Sequence, residues 1–224
     1  MHIEPGVVDG AKMAFAYATA AGAGAYTLAL TKAEIERSSV ISVALRSLLA
    51  AIGVFIFFEV LPHFAVGVSE VHFILGSTLF LLLGAAPAAI GLAAGLLIQG
   101  MFFAPSDLPM YFVNVTTLLV PLFAVSGLAR RVLPAGTAYV DLRYADVLKL
   151  SAAYQAGVVA WVAFWAFYGQ GVTAETFQSV TTFGAAYLMV ILIEPLADLA
   201  ALAGAKALRD TGASRLFHTR LYAA

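Results

Sequence analysis

The stretch VHFILGSTLFLLLGAAPAAIGLAAGLLIQGMFF, residues 71–103, contains no Lys, Arg, Asp or Glu. A helix needs about 20 apolar residues to cross the hydrocarbon core of a membrane, so a single helix of this length would overshoot it. The sequence Gly84-Ala85-Ala86-Pro87 interrupts the stretch and favours a tight turn. We therefore expect two helices, Val71–Leu83 and Ala85–Phe103. The first is short, which a membrane protein tolerates where the helix lines a cavity within the protein.

The composition of the whole chain indicates which solvent surrounds these helices. Of its 224 residues, 62% are hydrophobic and 11% are charged, against roughly 25% charged residues in a soluble domain. Lipid must cover most of the surface, and in lipid the backbone polar groups have to pair within each helix. We predict an all-α, polytopic membrane protein with about seven transmembrane helices in a single domain, residues 1–224. The other helices are expected at Ala11–Leu30, Val40–Leu61, Met110–Leu128, Val147–Tyr168 and Phe177–Ala203.

Basic residues mark the cytoplasmic side of a membrane protein. With seven spans and an outer N-terminus, only Lys12 of the 12 Lys and Arg residues lies outside. The opposite orientation would reverse this distribution. We therefore expect an outer N-terminal segment at residues 1–10, a cytoplasmic tail at residues 205–224, and a multi-pass location in the cell (inner) membrane.

Acidic residues predominate on the predicted outer side. Such a rim concentrates cations, although it could equally reflect the exclusion of Lys and Arg from outer loops. Its members are Glu4, Asp9, Glu59, Glu70, Asp107 and Glu175. Two further acids, Glu194 and Asp198, lie one turn apart toward the inner half of the last helix. They could form a proton relay, or contact a partner subunit or a basic side chain.

The sequence carries no motif of covalent catalysis or ATP hydrolysis. It has no phosphate loop and no HExxH, GxSxG or CxxC pattern, and it has no Cys for a disulfide or a thiolate metal site. We therefore expect a protein that is not an enzyme and that has no nucleic-acid partner. Any ATP-driven work would need separate subunits.

His2 is the sharpest candidate for metal binding. The first Lys or Arg is Lys12, so the start does not resemble a secretory signal peptide, and the bulky second residue favours retention of Met1. The terminal amine of Met1, the amide nitrogen of His2 and its imidazole can form fused chelate rings in one plane. Square-planar nitrogen sites suit Ni(II) or Cu(II). The alternative is a solvated terminal histidine.

Other polar residues fall on the same predicted outer side. His72 stands at an outer membrane boundary, where it is either a functional residue or an interfacial histidine bonded to the backbone. His63 lies in the preceding loop, and nothing in the sequence fixes its geometry. Gln99 and Asn114 bracket an outer loop, so they could face one cavity or bond neighbouring helices.

Three stretches of the sequence resemble a known family. Met1-His2-Ile3 with Gly6 is similar to the opening of that family. The segment GVSEVH at residues 67–72 is similar to the family's GTSGH segment. The segment QGMFF at residues 99–103, followed by Asn114, is similar to its glutamine-plus-aromatic loop. On these residues the chain resembles the membrane substrate-binding subunit of cobalt and nickel energy-coupling factor transporters, the CbiM/NikM type. The likeness is good through most of the fifth predicted helix.

The resemblance implies a metal site at the N-terminus. The Met1 amine, the His2 amide and the imidazoles of His2 and His72 would hold the ion in a plane, and Asn114 would order the N-terminal segment. The transported ion would be Ni(II) or Co(II), with Cu(II) as a further candidate. A coupling transmembrane subunit and cytoplasmic ATPase subunits would be the partners, within the lipid bilayer.

This chain has one residue more than the family between Ser69 and His72. If a helix had begun there, the extra residue would turn His72 by about 100°. His63 or Glu70 would then be the alternative ligand.

Two other function classes are alternatives. An ion-gradient-driven secondary transporter would need internal repeats, which are not apparent here, and intramembrane acids such as Glu194 and Asp198. A non-transporting membrane sensor or scaffold would tolerate the loss of His2.

Overall fold

The computed structural model describes residues 2–134, 136–211 and 216–223. The chain is mostly helical, and the long helices follow the apolar stretches of the sequence. The elements are α1 (Met13–Arg37), α2 (Val40–Phe55, continued by a π-helical turn at Ile56–Val60), β1 (Phe64–Val66), β2 (Ser69–Val71), α3 (Gly76–Leu83), α4 (Ala85–Phe102), α5 (Tyr111–Val132), α6 (Tyr144–Gln170), α7 (Ala174–Ala207) and α8 (Thr219–Tyr222). Short 3-10 turns lie at Gly10–Lys12, Pro105–Met110 and Tyr139–Asp141.

Several of these helices are long and apolar enough to cross a membrane. Within the described ranges there are six: Gly10–Arg37, Val40–Val60, Ala85–Phe102, Pro105–Val132, Tyr144–Gln170 and Ala174–Ala207. Large apolar side chains point outward from them, as do Leu28 of α1, Ile41 of α2 and Leu192 of α7, which are 70%, 73% and 69% exposed. Such faces are stable only against lipid. The fold is that of a multi-pass helical membrane protein.

The third helix differs from its sequence prediction. Val71, expected as its first residue, ends strand β2, and α3 begins only at Gly76. The prediction of a helix from Val71 was wrong because apolar composition does not reveal that Ser69–Val71 pairs with Phe64–Val66 in an antiparallel hairpin. With 8 residues, α3 is about 12 Å long at 1.5 Å per residue. A seventh full-length span is therefore not confirmed.

The break between α3 and α4 lies where the sequence predicts it. Gly84 adopts a φ of +92°, a conformation that favours glycine. A Cβ at this position would also approach the ring of His218 to 2.7 Å. The chain therefore reverses sharply at Gly84, and α4 starts at Ala85.

A buried charged residue holds each end of α3, which lies among α4, α5, α6 and α7. Before its first turn, Glu194 Oε1 accepts hydrogen bonds from the backbone N–H groups of Ile74 at 2.5 Å and Leu75 at 3.1 Å. At its last turn, the Arg46 guanidinium donates to the Leu83 carbonyl oxygen at 2.9 Å. A carboxyl oxygen at the start and a guanidinium at the end of a helix complement its dipole. They also satisfy backbone groups that would otherwise be unpaired inside a membrane.

The two charged residues have further partners of their own. Arg46 is 2% exposed and forms an ion pair with Glu34 of α1 at 2.8 Å. The second carboxylate oxygen of Glu194 accepts a hydrogen bond from Gln155 of α6, whose own Oε1 accepts one from the Tyr187 hydroxyl at 2.8 Å. Because Arg46 is ion-paired and the Glu194 carboxyl group is fully hydrogen-bonded, both side chains can be buried at tolerable cost.

Asp198, one helical turn after Glu194 in α7, also attaches α3 to α7. Its carboxylate accepts hydrogen bonds from the hydroxyls of Ser77, at 2.8 Å, and Thr78. The sequence left the role of Glu194 and Asp198 open. In the structure both acids join α7 to the start of α3 by hydrogen bonds.

The two ends of the bundle differ in charge. At the end that carries the N-terminal segment, Lys12 Nζ donates to the carbonyl oxygen of Gly169. At the opposite end Arg209 pairs with Asp141 at 2.6 Å. The other Lys and Arg residues of the described chain lie on segments of this second end: Lys32, Arg37, Arg46, Arg130, Arg131, Arg143, Lys149, Lys206 and Arg220.

Replacing Arg46 by Leu is expected to destabilise the protein strongly, because the Glu34 carboxylate and the Leu83 carbonyl oxygen lose their buried partner. The expected loss in the free energy of unfolding is about 3–5 kcal/mol, measured as a lower thermal unfolding midpoint in detergent. Arg37→Leu, at an exposed arginine of the same end, is the control and should change the midpoint little. Equal midpoints for the two variants would show that Arg46 does not hold α3.

Candidate metal centre

The N-terminal segment runs beside β2 and pairs with it on the side away from β1. Ile3 pairs with Ser69 in an antiparallel bridge. The carbonyl oxygen of His2 accepts two hydrogen bonds at 2.9 Å, one from the backbone N–H of Glu70 and one from the Ser69 hydroxyl. The N–H of Glu4 donates to the carbonyl oxygen of Val68 at 3.2 Å. The second residue of the chain is therefore fixed beside β2.

The turn of the hairpin sets where β2 lies against α7. Gly67 has a φ of +62°, and a Cβ there would come within 2.3 Å of the carbonyl oxygen of Ser179 in α7. Both the backbone conformation and the close approach require glycine. This contact fixes the hairpin to the helix that also holds Ile74 and Leu75.

Three potential metal ligands converge on the face of this small sheet. One ligand atom each of His2, Glu70 and His72 can be chosen so that all lie within 4.8 Å of one another. Side chains of alternate residues in an extended chain point to the same face, so Glu70 and His72 reach the same place. No helix has begun at His72. The expected 100° displacement of this residue therefore does not occur.

The contacts within the cluster set the state of each ring. His2 Nδ1 lies 2.8 Å from Glu70 Oε2 and 3.9 Å from Asp107 Oδ2. His72 Nδ1 lies 3.2 Å from the carbonyl oxygen of Phe73 and donates to it, which places the lone pair of this ring on Nε2. The rings of His2 and His72 are 5.4 Å apart between centroids. Both rings are almost completely buried, at 3% and 2% exposure.

Burial and charge act in opposite directions on the pKa values of the cluster. Burial lowers the pKa of His2 below its ordinary value, although the hydrogen bond and charge of Glu70 act to raise it. Burial alone would raise the pKa of Glu70, but the hydrogen bond from His2 and the charge of that ring bring it below its ordinary value. The pKa of Glu4 is raised, first by burial and then by the charges of Glu70 and Asp107. The lowered pKa of His2 favours loss of the ring proton, which ligation of a metal requires.

The other residues singled out in the sequence lie around this cluster or outside it. Asn114, 1% exposed, accepts a hydrogen bond from the backbone N–H of Ile3 at 2.8 Å, so it orders the N-terminal segment. Gln99 donates to the Phe58 carbonyl oxygen and to Glu59, each at 3.3 Å, which joins α4 to the end of α2. His63 is exposed in the loop before β1. Met1 lies outside the described residues.

Two residues of the site were missed in the sequence. Asp107 was grouped only with the outer acids, and its approach to His2 depends on the 3-10 turn at Pro105–Met110. Phe58, fully buried in the π-helical turn, packs its ring edge-on against His72 at 4.5 Å and against His2 at 5.9 Å. A π-helical turn often marks a functional site, but no sequence pattern predicted one here.

The donor set of the cluster defines what it can bind. Imidazole nitrogens suit Zn(II), Cu(II), Fe and Ni(II), whereas carboxylates widen the range toward harder cations. No Lys or Arg of the described chain forms a salt bridge with Glu70 or Asp107. Two imidazoles with neighbouring carboxylates therefore form a donor set that suits a divalent transition-metal ion.

The fold and this cluster define a multi-pass membrane protein with a candidate site for a transition-metal ion. The chain belongs to the CbiM family, the cobalt uptake substrate-specific transmembrane region, whose model matches residues 2–211. It is thus a transmembrane protein of a metal-uptake family. The family resemblance is confirmed, as is the multi-pass membrane location.

A solved structure shares the fold. It is a truncated transition metal transporter, with a TM-score of 0.59 and 18% sequence identity over 93% of this chain and 97% of that chain. No curated protein matches the chain.

The substitution Gly67→Ala is expected to displace the hairpin and weaken the cluster. The new Cβ would adopt a left-handed conformation, at roughly 1–2 kcal/mol, and would in addition collide with Ser179. The measurement is the thermal unfolding midpoint in detergent. Gly171→Ala is the matched control, because Gly171 has a φ of +81° but open space around its Cβ position. Equal losses in the two variants would show that the contact between hairpin and α7 adds no constraint.

Proposed function

We propose that this protein is the substrate-binding membrane subunit for uptake of a divalent transition-metal ion, Co(II) or Ni(II). The observation that carries the proposal is the convergence of His2, Glu70 and His72 within 4.8 Å. Residues 68 positions apart in the sequence meet there because the N-terminal segment pairs with β2. Such an arrangement is difficult to explain as mere packing, since it buries two histidines beside carboxylates.

The proposed ligands are the Met1 amine, the amide and Nδ1 nitrogens of His2, and Nε2 of His72. Nδ1 of His2 can form a chelate ring with the amide of the same residue. In the described contact this nitrogen donates to Glu70, so metal binding would release its proton. The hydrogen bond from His72 Nδ1 to the Phe73 carbonyl orients the ring for ligation through Nε2, as outer partners of metal-bound histidines commonly do.

The proposed orientation places the metal site outside the cell. It follows from the charge difference between the two ends, since basic residues favour the cytoplasmic side. The acidic side chains near the site would attract the cation from that side. Asn114 would keep the N-terminal segment in place over the ion.

Release toward the cytoplasm would then require an energy source outside this chain. We propose that a coupling transmembrane subunit and cytoplasmic ATPase subunits provide it, as the sequence resemblance implies. The alternative of a gradient-driven transporter is less well supported, because Glu194 and Asp198 are both engaged in hydrogen bonds to α3. A sensor without transport remains the other alternative.

Metal binding by the purified protein with a native, untagged N-terminus tests the proposal. Titration calorimetry with Co(II), Ni(II), Cu(II) and Zn(II) should show binding that is lost in His2→Ala, in His72→Ala and in a variant with one residue added before Met1. The added residue would move the amine out of the chelate ring. His218→Ala is the matched control, since His218 lies outside the cluster and faces Glu34 instead, and this variant should bind as the wild type does.

Retained binding in His2→Ala and His72→Ala would contradict the proposed site. Absence of binding for all four metals by folded wild-type protein would contradict the function itself. Loss of binding in His218→Ala would point to a non-specific effect of the substitutions.

A further inference from the structure

We infer that Glu70 is a fifth, anionic ligand, which makes the site non-planar and lowers its preference for Ni(II) over Co(II). This inference rests on the proposed function and concerns the choice of ion. A plane of four nitrogens is the geometry that Ni(II) and Cu(II) prefer. A carboxylate oxygen that joins the nitrogens changes the coordination number and with it the preferred metal.

The position of the Glu70 carboxylate carries the argument. Its Oε2 lies 2.8 Å from His2 Nδ1. Two ligands bound at right angles to one metal, with bonds of about 2.0–2.1 Å, are separated by about 2.9 Å. The observed distance is that of a hydrogen bond, and it is also close to this separation, so after loss of the His2 proton one ion could bind both atoms with little movement of either.

The backbone holds Glu70 in this position together with His2. The N–H of Glu70 donates to the carbonyl oxygen of His2 at 2.9 Å, and Glu70 pairs with Ala65 across the hairpin. The carboxylate and the imidazole thus project from neighbouring, hydrogen-bonded residues. Such a pair is preorganised, and it does not lose much conformational freedom when the ion arrives.

Charge balance favours the same assignment. A divalent ion bound to one deprotonated amide and neutral nitrogens would leave a complex of charge +1. His2 and His72 are almost completely buried, and a buried, unpaired charge is costly. The Glu70 carboxylate makes the complex neutral. Asp107, 3.9 Å from His2 Nδ1, lies next to it and adds further negative potential.

The electronic consequence differs between the two metals. In a plane of four strong nitrogen ligands, Ni(II) pairs all its d electrons and is diamagnetic. A fifth ligand removes this advantage and makes Ni(II) paramagnetic, whereas Co(II) accepts five ligands readily. The site should therefore discriminate against Ni(II) relative to a purely planar nitrogen site.

The spin state of bound Ni(II) tests the inference directly. Protein with a native N-terminus is loaded with Ni(II), and its magnetic moment is measured by the NMR shift of a reference compound. We expect paramagnetic Ni(II) in the wild type and diamagnetic Ni(II) in Glu70→Gln, which keeps the shape of the side chain and removes its charge. Glu175→Gln removes an outer carboxylate that lies outside the cluster, and it should leave Ni(II) paramagnetic.

The ion preference provides a second measurement on the same proteins. Competition between Co(II) and Ni(II) should shift toward Ni(II) by about 10–100-fold in Glu70→Gln, with no shift in Glu175→Gln. Diamagnetic Ni(II) in the wild type, or an equal preference in wild type and Glu70→Gln, would overturn the inference and leave the proposed function intact. Wild-type protein that binds neither ion would overturn both.

Discussion

The need to satisfy backbone polar groups at the two ends of α3 is the constraint on which the rest of the structure depends. A helix that starts and stops inside a membrane leaves backbone groups that lipid cannot satisfy. Glu194 satisfies the backbone groups at one end and Arg46 those at the other. Glu194 also bonds α6 through Gln155, and Arg46 also pairs with Glu34 of α1. The five helices α1, α2, α3, α6 and α7 are joined in this way. Because α3 is short, the chain before it is free to form the hairpin on which the metal site is built.

The same contacts hold the residues of the candidate metal centre in place. Glu194 holds Ile74 and Leu75, which follow His72 by two and three residues, and α7 receives the hairpin turn at Gly67. One helix therefore holds the segment that carries Glu70 and His72 from both sides. The N-terminal segment is held separately, by β2 and by Asn114. The ligands thus come from two independently held parts of the chain, and ion binding would join them.

The sequence predicted the long helices well because a membrane-spanning helix depends on apolar length, which can be read from the chain alone. The observed α2 and α4 begin at the predicted residues Val40 and Ala85, and α5 and α6 begin within three residues of the prediction. The sequence did not predict the hairpin, because its stability depends on contacts with the N-terminal segment and α7, which are distant in the chain. For the same reason, residue type and position alone selected His2 and His72 as candidates, and only the family resemblance implied that they share one ion. Asp107 carried no signal beyond its charge.

The most direct test of the account is the position of the ion in crystals of Co(II)-loaded protein with a native N-terminus. An anomalous difference map recorded at the cobalt absorption edge locates the metal independently of the protein coordinates. The account predicts one dominant peak in contact with the side chains of His2, Glu70 and His72. A dominant peak at another place in the bundle, with this cluster empty, would contradict it.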